Sequence, residues 1–133
     1  MTYMVSAGSL ADYKPSWLGN LANDVTIEGS AMDGSAYGAV GVRAILVAIR
    51  GLYESQTFNY VGAYGDDGFL EDYTAQVRGE PISCVVLIKN NAAGQAQHIV
   101  ANYRPRGTLL LLVRLIGEHF AGTPYGEYFA ASE

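Results

Sequence analysis

The chain has 133 residues, half of them hydrophobic and only 16% charged, with a formal charge of -5. That length suits one domain, expected to span 1–133, with room for a sizeable core but none for a second domain, and the composition is too apolar for a disordered chain. The acidic balance repels phosphate backbones and anionic lipid heads, which argues against nucleic acid and membrane surfaces as partners.

Residues 1–11 show no basic start followed by a long apolar run, and the apolar runs of the chain, 109–113 among them, fall far short of the roughly 20 residues of a membrane span. The single Cys84 cannot form an internal disulfide, and a lone thiol inside an apolar run suits a reducing compartment, so the expected location is cytoplasmic. In chain order, Pro15 with Trp17, Leu18 and Leu21 predicts a short helix over 15–21, closed by a turn at Asn23 and Asp24. The β-branched Val25, Thr26 and Ile27 predict a strand over 25–28, and three glycines in 29–38 predict a loop. Val42, Ile45, Leu46, Ile49, Leu52 and Tyr53 then recur at helical spacing, with Arg43 and Arg50 on the opposite side, which predicts an amphipathic helix over 39–53.

Four strand-like runs follow, at 56–64, 69–77, 82–89 and 95–104, separated by turn-forming residues short enough for antiparallel hairpins. Gly62 is a candidate bulge that would bend the first of them. Pro105 closes the last strand, and a leucine-rich terminal helix is expected over 108–120, followed by a tail. The elements predict an α+β fold, a strongly curved antiparallel sheet forming a cone-shaped half-barrel with helices packed on its concave face.

At this point the chain resembles the nuclear transport factor 2-like superfamily, in particular its SnoaL-like and ketosteroid-isomerase-like branch. The residues that carry the resemblance are Leu21-Ala22-Asn23-Asp24-Val25-Thr26-Ile27-Glu28-Gly29, close to that superfamily's L-A-D-D-V-x-x-E lead-in to its first strand, then the helix starting after Gly38, and Ile99-Val100-Ala101-Asn102-Tyr103 in the last strand. The resemblance covers about 15–105 and implies a small-molecule pocket; the fold hosts isomerases, dehydratases, cyclases, epoxide hydrolases and binding proteins. It also implies a homodimer, paired through the outer face of the sheet.

Three departures narrow the chemistry. The superfamily's long first helix is cut short here by Pro15, which leaves no pocket tyrosine expected from it. Gly29 stands where ketosteroid isomerases hold their base. The Asp-Arg-Asp set of the epoxide hydrolases matches Asp72, Thr74 and Asn102, without the arginine or the second carboxylate.

Alternation along 69–77 puts Leu70, Asp72, Thr74 and Gln76 on one face and Phe69, Glu71, Tyr73, Ala75 and Val77 on the other. With the register that the resemblance implies, the first face lines the pocket. Asp72 is then the candidate general acid or base, while Thr74 and Gln76 bind substrate. Slipped by one residue, Asp72 belongs to the outer face instead. On the last strand Asn102 would hold a substrate oxygen or orient a water, and His98 would move a proton near neutral pH; a plain surface histidine is the other reading of His98. Glu28 reaches the same cavity or is an exposed strand-end glutamate. Cys84 alternates with Ile82 and Val86 as core. Of the ten tyrosines, Tyr37, Tyr53, Tyr60, Tyr64, Tyr73 and Tyr103 suit either a pocket for a flat oxygen-bearing ligand or ordinary sheet packing, and Tyr60 is the candidate substrate contact. Two histidines and one cysteine offer no metal-ligand spacing, and no glycine motif cradles a phosphate, so no metal and no cofactor are expected.

Two functions follow. The first is a cofactor-independent isomerase, dehydratase or cyclase acting by general acid-base chemistry on a hydrophobic, oxygen-bearing compound. The second is a non-catalytic ligand-binding or dimerisation module whose pocket is filled.

Overall fold

The computed structural model describes Leu10 and residues 13–130. Alternating apolar residues and short turns make β3 (Ser55–Ala63), β4 (Gly68–Val77), β5 (Glu80–Asn90) and β6 (Ala96–Arg104) an antiparallel meander. β1 (Leu21–Gly29) pairs with β6 in the same direction, and the two-residue β2 (Ala36–Tyr37) closes the edge, giving the order β2-β1-β6-β5-β4-β3. The sheet is therefore mostly rather than wholly antiparallel. A parallel pair needs a long connection, and everything between β1 and β6 supplies it.

Two α-helices, α1 (Ala39–Gly51) and α2 (Arg106–His119), cover the concave face of this curved sheet, as the α+β expectation required. On α1 the helical stripe of Val42, Ile45 and Ile49 is buried, and on α2 Leu112, Leu115 and Ile116 are. Each such side chain contributes about 1.5–3 kcal/mol by leaving water. Gly38, with φ of 101°, turns the chain into α1 in a conformation that favours glycine. Gly29 has a different reason: a Cβ there would lie 1.8 Å from the Ala101 carbonyl oxygen, so β1 and β6 approach this closely only because no side chain intervenes.

The local differences from the sequence expectations have simple causes. Pro15 opens only a 3-10 turn, Ser16–Gly19, and strand β1 already begins at Leu21. Asn23 and Asp24 do not end an element; they are exposed residues in β1, where the pairing with β6 shifts register between Leu21 and Thr26. In β3 the bulge falls at Asn59, between the pairs Phe58↔Tyr73 and Tyr60↔Asp72, and not at Gly62, which pairs regularly with Leu70. Gly62 instead makes room for the Tyr60 ring, whose hydroxyl would lie 2.1 Å from a Cβ at that position. Leu110 on α2 is exposed while Leu109, Leu111 and Val113 are partly buried, so the leucine run does not fit wholly into one core.

Candidate functional site

The inner face of β4 carries Glu71, Tyr73, Ala75 and Val77, all buried. Three of these are the ordinary lining of a core. The fourth is a carboxylic acid only 1% exposed. Its partners come from the segment before β1: the Tyr13 hydroxyl and the Trp17 indole N–H both donate to Glu71 Oε2, the latter at 3.0 Å. Burial pushes the Glu71 pKa above its usual value, because water no longer solvates the charged form; the bonds from Tyr13 and Trp17 and the Arg50 charge pull the other way without cancelling it.

Glu71 faces a small apolar cavity of about 40 Å³ between the sheet, α1 and the Pro15–Leu18 turn, walled by Trp17, Leu46, Ile49, Tyr73, Val86 and Tyr103. Tyr73, Cys84 and Tyr103 form one row across β4, β5 and β6. Tyr53, just past α1, reaches over this row and shares a 2.6 Å hydrogen bond between its hydroxyl and that of Tyr73. Burial raises the pKa of all three phenols far above the physiological range, so they stay neutral and each keeps an O–H able to donate, one of the Tyr53–Tyr73 pair accepting from the other. The Cys84 thiol is pushed up to about 12 by burial, which removes it as a nucleophile. Phe58 stacks edge-on against Tyr13 at 4.8 Å and against Tyr73 at 5.5 Å, tying the N-terminal segment to the phenol cluster.

The site residues expected from the sequence lie on the other side of the sheet. Asp72 pairs across β3 with Tyr60 and stands 3.7 Å from Arg104 Nη2. Thr74 accepts a 3.0 Å bond from Asn59 Nδ2 and lies 3.3 Å from the Ser83 hydroxyl, while Gln76 and Asn102 are exposed. His98 joins Thr26 (2.7 Å, ring Nδ1) to Glu28 (3.2 Å, ring Nε2), both partners half-buried on β1. The placement of these polar sets in the pocket is thus reversed. Strand alternation divides residues into two sets but does not say which set faces inward, and the inner set is the one whose neighbours on β5 and β6 are Ile82, Cys84, Val86, Ile88, Ile99, Ala101 and Tyr103. Tyr37 and Tyr64 are exposed, whereas Tyr53, Tyr73 and Tyr103 reach the cavity wall or its support. The N-terminal segment, expected to bring no tyrosine, brings Tyr13. Glu71 was legible as the one carboxylate on an otherwise apolar strand face; nothing in the sequence pointed to its pairing with Tyr13 and Trp17.

No protein-family model and no curated protein matches the chain. Solved structures do. An uncharacterized protein with a cystatin-like fold from Silicibacter pomeroyi superposes at a TM-score of 0.74 over 80% of this chain and 74% of its own, at 18% identity. A steroid delta-isomerase from Pseudomonas aeruginosa gives the same score and identity over 80% of this chain and 79% of its own. An NTF-2 like protein from Burkholderia xenovorans follows at a TM-score of 0.57 and 12% identity, over 68% and 73%. The fold is nuclear transport factor 2-like. Within that nuclear transport factor 2-like fold, the described residues include no helix long and apolar enough to cross a membrane and no cluster of three His, Cys, Asp or Glu side chains suited to a metal ion.

Proposed function

We propose that this chain moves a proton on a compact hydrophobic carbonyl compound, as a cofactor-independent isomerase or lyase, with Glu71 as the group that carries the proton. The observation behind this reading is the buried Glu71 carboxyl, its pKa raised toward the working range of a general base, facing an apolar cavity beside neutral phenols. In the proposed step the Glu71 carboxylate takes a proton from the carbon next to the carbonyl, the C–H electron pair moves into the enolate, and the Tyr73 or Tyr103 hydroxyl donates to the enolate oxygen. Where the compound carries a C=C bond β,γ to the carbonyl, the enolate is a dienolate, and Glu71 returns the proton to its γ-carbon, which moves that bond into conjugation. The likeness in fold to a steroid delta-isomerase favours this reaction class.

A second reading has its own support. A 40 Å³ cavity holds a few waters and no ketone, so Tyr13 and Trp17 must move aside for a substrate to enter. If they do not, the pocket is a filled core around a polar network. Exchange of α-protons for deuterium in cyclic enones and aryl ketones, followed by proton NMR, separates the two: acceleration by the parent and none by Glu71→Gln supports the enzyme. Absence of exchange for every ketone supports the filled pocket.

A further inference from the structure

A second cleft, of about 440 Å³, opens beside the Glu71 cavity and shares Pro15, Arg50 and Gln56 with it. Its size falls in the range of ordinary ligand sites, where the smaller cavity alone does not. Tyr13, which closes the carboxylate side, also lines this cleft, so movement of Tyr13 would join the two spaces. Phe58 gives the cleft an aromatic wall, and Lys14 and Arg50 give it two positive charges.

These charges are conspicuous in a protein of net charge -5 with only eight lysines and arginines. Lys89, Arg104 and Arg114 each lie near a carboxylate, and Arg43 donates to the Leu18 carbonyl. Lys14, Arg50, Arg78 and Arg106 have no carboxylate at ion-pair distance among the described residues, and of these four Lys14 and Arg50 line this cleft. Arg50 nevertheless sits near enough to Glu71 for its charge to favour the ionised acid. A guanidinium at the rim of an apolar site, its fork meeting no carboxylate among the described residues, matches the geometry of a carboxylate.

We propose that the substrate is a keto acid, whose aryl or alkyl ketone enters the Glu71 cavity while its carboxylate is held in the neighbouring cleft by Arg50, with Lys14 in support. This rests on the proton-transfer reading of Glu71 and adds to it the class of molecule. The same arrangement assigns a division of labour: Arg50 fixes the substrate's far end, and Glu71 acts on the carbon that this anchoring brings to it.

The test uses the chain's single tryptophan, Trp17, which lines the Glu71 cavity and so reports on occupancy by its fluorescence. β-Benzoylpropionate and its methyl ester share one ketone and differ in charge. The parent is expected to bind the acid about tenfold tighter than the ester, a preference that weakens as salt is added. Arg50→Met should lose most of the preference, keeping only the share that Lys14 supplies, and Arg50→Lys should keep more of it, since Arg50 is exposed and neither change disturbs the core. Equal binding of acid and ester by the parent, binding of neither, or an undiminished preference in Arg50→Met overturns the proposal. Deuterium exchange on the same two compounds keeps the underlying reading separate. Exchange of acid and ester alike, lost in Glu71→Gln, would sink the keto-acid assignment and leave proton transfer standing. A carboxylate preference without any exchange would do the reverse.

Discussion

Replacing Glu71 by glutamine keeps the shape of the side chain and removes its charge, so the variant isolates the cost of burying a carboxylate. Two effects oppose each other. A hydrogen bond to a charged acceptor contributes about 1.5–3 kcal/mol and one to a neutral acceptor about 0.5–1.5, so weakening the bonds from Tyr13 and Trp17 costs about 2 kcal/mol in all. Against this stands desolvation, still several kcal/mol per ion after relaxation, at a side chain 1% exposed. The raised pKa identifies desolvation as the larger effect. Glu71→Gln is therefore expected to exceed the parent in stability by about 1–3 kcal/mol at pH 8, a rise in Tm of roughly 3–10 °C for a chain of this size. The pH dependence has a definite sign. With the folded pKa above the ordinary 4.5, the unfolded chain releases this proton first. Glu71's contribution is thus fully favourable below the unfolded pKa and is lost as pH rises through the folded one. The advantage of the variant should be smallest near pH 4.5 and grow toward pH 8. Urea unfolding of both proteins across that range measures it. A variant less stable than the parent by one constant amount at every pH would refute the reasoning, because the hydrogen bonds would then outweigh the desolvation.

Four further outcomes are expected. Tyr53→Phe removes the 2.6 Å bond to Tyr73 and should cost about 1–2 kcal/mol in urea unfolding; an unchanged midpoint would mean that water already serves both hydroxyls. Tyr13→Phe takes one donor from the Glu71 carboxylate and should raise its pKa further, moving the acid limb of any exchange profile to higher pH; a shift to lower pH contradicts the assigned contact. Cys84, with its thiol pushed up to about 12, should resist a disulfide reagent at pH 8 until the protein is denatured, and rapid labelling of native protein would place it outside the core. We propose a homodimer that covers the outer face of the sheet, where Leu70, Leu87 and Val100 form an apolar row across three strands; light scattering should give twice the chain mass at micromolar concentration, and a strict monomer rules the pairing out.

The long elements were legible because their periodicity is strong: the stripe Val42, Ile45, Ile49 on α1 and the turn residues around Gly65, Gly79 and Gly94 left little choice of helix or hairpin. The site was not legible to the same degree. Asp72, Thr74 and Gln76 drew attention as a polar set, yet alternation alone does not say which face of a strand the helices cover. Glu71 among Tyr73, Ala75 and Val77 was the anomaly, since a fully buried acid on an apolar face tells more than a half-buried one among polar neighbours. Its partners Tyr13 and Trp17 meet it across more than fifty residues of sequence, and local pattern carries no information about such a contact. The bulge at Asn59 was hidden for a related reason: it exists only in relation to the pairing strand, while Gly62 offered a visible but false marker.

The parallel pairing of β1 with β6 places Thr26 beside His98, about seventy residues later in the chain. The hairpins of β3 to β6 close short loops and are the cheap contacts of the fold, whereas β1 finds its place only by closing the longest one. During synthesis the first strand made therefore has to wait for the last. Tyr13 and Trp17, which precede it, reach Glu71 only by closing loops of more than fifty residues, so the cover of the cavity belongs to the long-range contacts of the fold and not to its hairpins.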